Sequence, residues 1–78
     1  MKETDGSGHE KVVIPMWNDG GDGGVRVTRI ESTESWTGEN AVRIQIEDEN
    51  GHLKQGPEFP TRVLGDVVKA MFDLAFGK

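Results

Sequence analysis

The sequence predicts a single small α+β domain: a four-stranded antiparallel meander (β-β-β-β-α) with one C-terminal helix packed on one face of the sheet. Three observations lead to this fold class. Residues 41–48 alternate between apolar and polar side chains, and an Asn-Gly pair follows them where a hairpin turn belongs. Residues 61–76 carry apolar side chains at helical spacing. Two earlier apolar runs are short and are bounded by turn residues.

The first two predicted strands cover residues 11–17 and 25–31. Pro15 cannot donate a hydrogen bond to a neighbouring strand, so we expect the first strand at an edge of the sheet. In the second strand, Ile30 is out of phase with the two valines that begin the strand. This offset predicts either a bulge or an Ile30 side chain on the opposite face.

The third and fourth strands form the most clearly predicted hairpin. A two-residue turn at Asn50-Gly51 makes the numbers of facing residues sum to 101, so that Val42 faces Phe59. The apolar side chains of both strands then share one face, which is where the alternation alone also places them. We expect five residues to be buried together under the helix: Val42, Ile44, Ile46, Leu53 and Phe59.

The predicted helix begins after Thr61 as its N-cap and ends before Gly77. Its apolar arc is wider than a helix needs to cover a small sheet, because Phe72 and Phe76 extend it on one side with Gly65 between them. Either the end of the helix folds back on the body of the domain, or this strip binds a second copy or another partner. We favour a dimer or partner interface at Gly65, Phe72 and Phe76.

Composition restricts the class of partner. The chain has 78 residues, no cysteine and a formal charge of −5. Basic surfaces bind nucleic acid and anionic membranes, so neither is an expected direct partner. No signal-peptide or membrane-length apolar run is visible, which favours the cytoplasm. Domains this small often gain stability from a second copy, so a homodimer is expected. Residues 1–10 are polar and aperiodic, predicting a disordered tail before one domain at 11–78.

No arrangement of residues predicts catalysis. The two histidines are His9, in the predicted tail, and His52, just after a turn. Ser32 and Ser35 have no histidine predicted nearby to act as a base. The Gly- and Asp-rich loop at 18–24 lacks the ligand spacing and closing glutamate of an EF-hand. We therefore expect a non-enzymatic protein without a cofactor or metal.

The remaining conspicuous residues suit contacts with a protein. Trp36 lies among small polar residues in a loop, where it either caps an end of the sheet or contacts a partner. The acids Glu47, Asp48 and Glu49 either form a solvated end of the sheet or imitate a run of phosphates. We predict Trp36 and the three acids as partner-binding residues.

The overall profile resembles that of small inhibitors encoded by phages and mobile elements, anti-CRISPR proteins among them: short, acidic, cysteine-free and without catalytic residues. The resemblance is one of general type and transfers no functional residue. It implies a protein that inhibits by occluding a larger host protein or nucleoprotein complex. The alternative is a structural or accessory subunit whose helix docks into an assembly, and a regulatory fragment or minor hydrolase ranks third.

Overall fold

A computed structural model describes residues 2–4, 6, 8–18 and 22–77. It confirms the α+β class, with an antiparallel sheet and one C-terminal α-helix in the described residues. In this part of the chain the sheet has six strands, where the sequence predicts four. The elements are β1 (Lys2–Thr4), β2 (Glu10–Pro15), β3 (Gly24–Ile30), β4 (Ala41–Glu47), β5 (Leu53–Lys54), β6 (Glu58–Pro60), a 3₁₀ helix (Thr61–Val63) and α1 (Leu64–Phe76).

The strands follow one another across the sheet in the order β1-β2-β3-β4, and both β5 and β6 pair with the far side of β4. The pairing of β3 with β4 runs without interruption from Gly24 opposite Glu47 to Ile30 opposite Ala41. Ile30 therefore points to the opposite face from the valines of β3, and no bulge is needed.

The predicted tail contains a strand. Lys2–Thr4 pair with residues 10–12 of β2, although all three side chains are exposed. An edge strand needs only backbone hydrogen bonds, so its polar sequence gave no sign of it. The pairing of β1 with β2 ends at Val12, which lies opposite Lys2. Pro15 lies beyond this pairing, on the outer edge of β2.

The last hairpin turns differently from the two-residue prediction. Asp48 N–H donates to the His52 carbonyl at 2.9 Å, and Gly51 N–H donates to the Asp48 carbonyl at 3.0 Å. The loop thus has three residues, with Gly51 at φ 87°. Leu53 consequently pairs with Glu47 and shares its face. The prediction that Leu53 joins the apolar residues of β4 was wrong by one residue of register.

A bulge restores the predicted register farther along. Three residues, 55–57, lie opposite the two residues 44–45, after which Val42 faces Phe59 as predicted. Gly56 makes this possible because a Cβ there would lie only 1.6 Å from the Ile44 carbonyl oxygen. The Ile44 N–H then donates to the Pro57 carbonyl at 2.9 Å, so the ladder continues across the bulge.

The helix begins and lies differently from the prediction. It starts at Leu64, after the 3₁₀ helix, and Thr61 is not its N-cap. Gly77 ends it in the left-handed conformation, as predicted. No residue of α1 is buried, and within the described chain α1 makes extensive contact only with the 3₁₀ helix. The predicted packing of the helix over the sheet is therefore absent.

The start of the helix is held against the β3–β4 loop. The Thr61 N–H donates to the Asn40 carbonyl at 3.0 Å, and the Arg62 guanidinium lies 2.9 Å from the Glu39 carboxylate. β6 ends at Pro60 and the 3₁₀ helix begins at the next residue. These contacts hold the 3₁₀ helix beside the β3–β4 loop, and α1 continues from it without a linker.

The two faces of the sheet differ in burial. We call one the apolar sheet face; no residue on it is buried. Its members are Val12, Ile14, Val25, Val27, Val42, Ile44, Ile46 and Phe59. The buried side chains of the described chain are Thr28, Ile30 and Ala41, all on the opposite face. The expected core of Val42, Ile44, Ile46 and Phe59 under the helix is therefore half-buried and uncovered by α1.

Candidate partner-binding surfaces

The predicted interface on the helix is accessible. Phe72 is 60% exposed and Phe76 is 72% exposed. Their ring centroids lie 5.5 Å apart, so the two side chains form one apolar strip. Gly65 is exposed on the same side, and a Cβ there would meet no atom within 4 Å. The structure thus presents these three residues together, as the helical spacing predicts.

The apolar surface of α1 extends beyond this strip. Leu74 is 87% exposed and Met71 is 52% exposed. Exposed aliphatic side chains at this density on one short helix are typical of a surface that binds another apolar surface.

The apolar sheet face is the surface that sequence reasoning missed. Four of its side chains, those of Val42, Ile44, Ile46 and Phe59, were predicted as core, and the alternation in β4 correctly places its three apolar residues on one face. A shallow depression of about 210 Å³ lies on this face and is lined in part by Val12, Val27 and Val42. The sequence contains the apolar pattern but no signal that α1 leaves it uncovered.

Trp36 projects from a loop that is itself well ordered. Its side chain is 78% exposed, so the alternative in which it caps the sheet is contradicted. Backbone hydrogen bonds from Glu34 and Ser35 to the Glu31 carbonyl, at 2.9 and 3.0 Å, fold the start of the loop. The Ser35 and Thr37 hydroxyls lie 2.7 Å apart. An ordered backbone that displays a large aromatic ring loses little conformational entropy on binding.

Glu58 fixes the base of this loop. Its side chain is only 6% exposed, and Arg43 Nη2 donates to it at 2.8 Å. The Trp36 backbone N–H donates to the other carboxylate oxygen at 3.1 Å. Burial alone raises the pKa of Glu58, but the hydrogen bonds from Arg43 and Trp36 outweigh it and hold the pKa below its usual value. The charge on Glu58 therefore positions Trp36, a role that the sequence did not reveal.

The three predicted acids differ in their surroundings. Glu47 Oε1 lies 3.7 Å from Arg26, and the Glu47 carbonyl accepts from the Trp17 indole at 3.0 Å. Asp48 accepts the backbone N–H groups of Asn50 and His52, both at 2.9 Å. The His52 hydrogen bond is the main cause of the lowered pKa of Asp48. Glu49 is exposed at the tip of the turn.

The acidic turn and Trp36 are separate. The Trp36 backbone is tied to Glu58, which faces Arg43, whereas Glu47 is four residues farther along β4, at about 13 Å. Two acids of the β3–β4 loop also lie away from this turn. Glu39 pairs with Arg62 and Glu34 with His9.

His9 is less exposed than the sequence suggests. Its side chain is 15% exposed, and Nε2 lies 3.1 Å from Glu34 Oε2. This contact joins the segment before β2 to the loop that carries Trp36. His52, by contrast, is exposed at the hairpin turn, as predicted.

Two further properties restrict the chemistry of these surfaces. Among the described residues, no group of three or more histidine and acidic side chains is placed to hold a metal ion. Residues 19–21 of the Gly- and Asp-rich loop lie outside the described part. Over the described ranges, no helix has the length and apolar character that crossing a bilayer requires.

Comparison with protein-family models, curated proteins and solved structures finds no match to this chain.

Proposed function

We propose that this chain is a non-enzymatic protein-binding module that acts in the cytoplasm by occluding a larger protein or nucleoprotein complex, as small phage- or mobile-element-encoded inhibitors do. It acts as a homodimer and binds neither nucleic acid nor membrane directly. Its net charge of −5 supports the choice of a protein partner, because anionic surfaces repel phosphate groups.

One observation carries the proposal: α1 holds Phe72 and Phe76 at the surface with no residue of the helix buried. Small monomeric proteins seldom leave an apolar surface of this extent open to water. Binding another protein removes it from water, and Gly65 allows a second backbone to approach closely. The helix strip (Gly65, Phe72 and Phe76) is therefore the dimer or partner interface.

The contacts that occlude the larger partner lie on the other surfaces. Trp36 offers an exposed aromatic ring on an ordered loop, the combination found at binding hot spots. Among the acids, Glu49 offers an exposed charge. Glu47 and Asp48 contribute to the same acidic turn, while their hydrogen bonds and ion pairs also stabilise it.

The alternative function is a structural or accessory subunit that docks into an assembly through α1. The position of α1 favours it, because a helix that contacts mainly the preceding 3₁₀ helix is free to enter a groove on a neighbouring subunit. In this case the helix strip, and not Trp36, contacts the larger partner.

Binding experiments separate these functions. Immobilised protein captures partners from the cytoplasmic extract of its host, and each candidate is then purified and titrated with three variants. Trp36→Ala is expected to weaken binding to an inhibited partner at least tenfold, which corresponds to about 1.4 kcal/mol. Phe72→Glu with Phe76→Glu is expected to abolish the dimer.

The matched control is Asp66→Lys, which also changes the charge by two units but lies on the polar side of the same helix, about 80° or more around its axis from each residue of the helix strip. It should leave both dimer and partner binding intact. Capture of a partner whose own activity is unaffected by the bound protein favours the accessory subunit. The absence of any purified partner that binds at micromolar concentration contradicts both functions.

A further inference from the structure

The chain exposes two apolar surfaces that do not cover each other. One is the apolar sheet face, on which no residue of β2, β3, β4 or β6 is fully buried. The other is the apolar side of α1, on which Met71, Phe72 and Leu74 are exposed. A sheet with one apolar face and a helix with an apolar stripe are the two layers of an α+β domain, and each is normally covered by the other.

We propose that α1 of one copy lies on the apolar sheet face of a second copy, and that the second copy returns the same contact. The inference rests on the homodimer proposed above and identifies the surface that receives the helix. Such an exchange is isologous: a single two-fold contact covers both apolar surfaces of both chains.

The surface area of the chain agrees with one such partner. The accessible area is 5639 Å², whereas a compact monomer of this mass exposes about 4,700 Å². The excess of about 940 Å² is close to the roughly 800 Å² that each partner loses in an interface of standard size. The Cα radius of gyration is likewise 13.6 Å, against about 11.5 Å for a compact chain of this length.

The dimensions of the two surfaces also match. The 13 residues of α1 make a rod of about 20 Å. The 7 residues of β3 or of β4 extend about 23 Å. One helix therefore covers the length of the central strands, with Val27 near the middle of the sheet and Met71 near the middle of the helix.

The helix of the same chain is less suited to cover the apolar sheet face than the helix of a second copy. The hydrogen bond from Thr61 to Asn40 and the ion pair of Arg62 with Glu39 hold the 3₁₀ helix against the β3–β4 loop. Because α1 follows the 3₁₀ helix directly, turning α1 over its own apolar sheet face requires a sharp bend between the two helices. The helix of a second copy reaches the same face without this bend.

Cysteine cross-linking tests the arrangement directly, because the natural chain contains no cysteine. Val27→Cys and Met71→Cys are prepared as single variants, mixed in equal amounts and oxidised under mild conditions. A disulfide joining the two variants at these positions is expected to dominate. Controls replace Met71→Cys by Asp66→Cys, on the polar side of the helix, and Val27→Cys by Lys11→Cys, on the opposite face of the sheet.

Three other outcomes of the cross-linking experiment would contradict the inference. In a variant that carries both Val27→Cys and Met71→Cys, an internal disulfide in a monomer means that the helix covers its own sheet. A dominant link between two copies of Val27→Cys means that two sheets pack face to face. Cross-linking no faster than in the Asp66→Cys control means that the helix lies elsewhere.

Light scattering of the unmodified protein at about 100 µM separates this inference from the proposed function. If the protein is a dimer but fails the cross-linking test, the proposed homodimer is retained and only this arrangement of the helix is contradicted. A monomer contradicts both. Binding of the larger partner through Trp36 is measured on the same samples and does not depend on the way in which the helix is covered.

Discussion

Replacing Glu58 by glutamine should destabilise the fold and release the loop that carries Trp36. The substitution keeps the shape of the side chain but removes the charge to which Arg43 and the Trp36 backbone donate hydrogen bonds. It also brings an amide NH₂ group close to these donors. The surroundings that stabilise a carboxylate at this position therefore disfavour the amide.

The contacts around Glu58 set the expected magnitude. A hydrogen bond to a charged group contributes about 1.5–3 kcal/mol. The side chain of Arg43 is 37% exposed, so hydrogen bonds to water replace part of the interaction that the guanidinium loses. We expect Glu58→Gln to lower the free energy of unfolding by about 2 kcal/mol. For a chain of this length that corresponds to a fall of about 8–16 °C in Tm.

Thermal unfolding followed by far-ultraviolet circular dichroism measures this loss, at one fixed protein concentration because dimerisation is linked to stability. The pH dependence gives a second readout. The folded-state pKa of Glu58 lies below the ordinary value of 4.5, so the charge stabilises the fold fully above that value and loses its effect as the pH falls through the folded pKa. The difference between wild type and variant should therefore shrink below pH 4.5.

Glu39→Gln is the matched control. Glu39 also pairs with an arginine, but both of these side chains are exposed, and such pairs contribute roughly 0–1 kcal/mol. If Glu58→Gln lowers Tm no more than Glu39→Gln, or if its effect persists unchanged at pH 3, the role assigned to the Glu58 charge is refuted.

Two further predictions concern the sheet. Gly56→Ala should lower the free energy of unfolding by about 2–4 kcal/mol, because the new Cβ would lie 1.6 Å from the Ile44 carbonyl oxygen and the strands must separate. Urea denaturation measures it, and Gly6→Ala, where no atom lies within 4 Å of the new Cβ, should be nearly neutral. Removing residues 1–4 should lower Tm by less than about 5 °C, since β1 contributes only exposed side chains; a larger loss in a thermal melt would mean that β1 is integral to the sheet.

Local patterns predicted the elements and their faces well. Alternation in residues 41–47 places Val42 and Arg43 on opposite faces, as the structure has them. The left-handed Gly77 ends the helix where the sequence indicates. The same local reasoning predicted a two-residue turn at Asn50-Gly51. It failed there because Asp48 binds two N–H groups of the turn and stabilises a three-residue loop instead.

The sequence was least informative where backbone atoms or distant residues provide the contacts. β1 joins the sheet through backbone pairing, and the polar sequence of Lys2–Thr4 does not indicate a strand. Glu58 and Arg43 are 15 residues apart and meet only because their strands pair. Trp36 was conspicuous in the sequence, but whether its ring faced inward or outward depended on these same contacts.

The sequence by itself determined that the chain has an apolar sheet face and an apolar helix, because side-chain periods of two and 3.6 residues fix which residues share a face. Only the tertiary structure decided that the two do not cover each other. α1 continues from a 3₁₀ helix that Thr61 and Arg62 join to the β3–β4 loop. Such contacts between distant residues leave no periodic trace in a sequence, although they determine whether an apolar surface becomes a core or an interface.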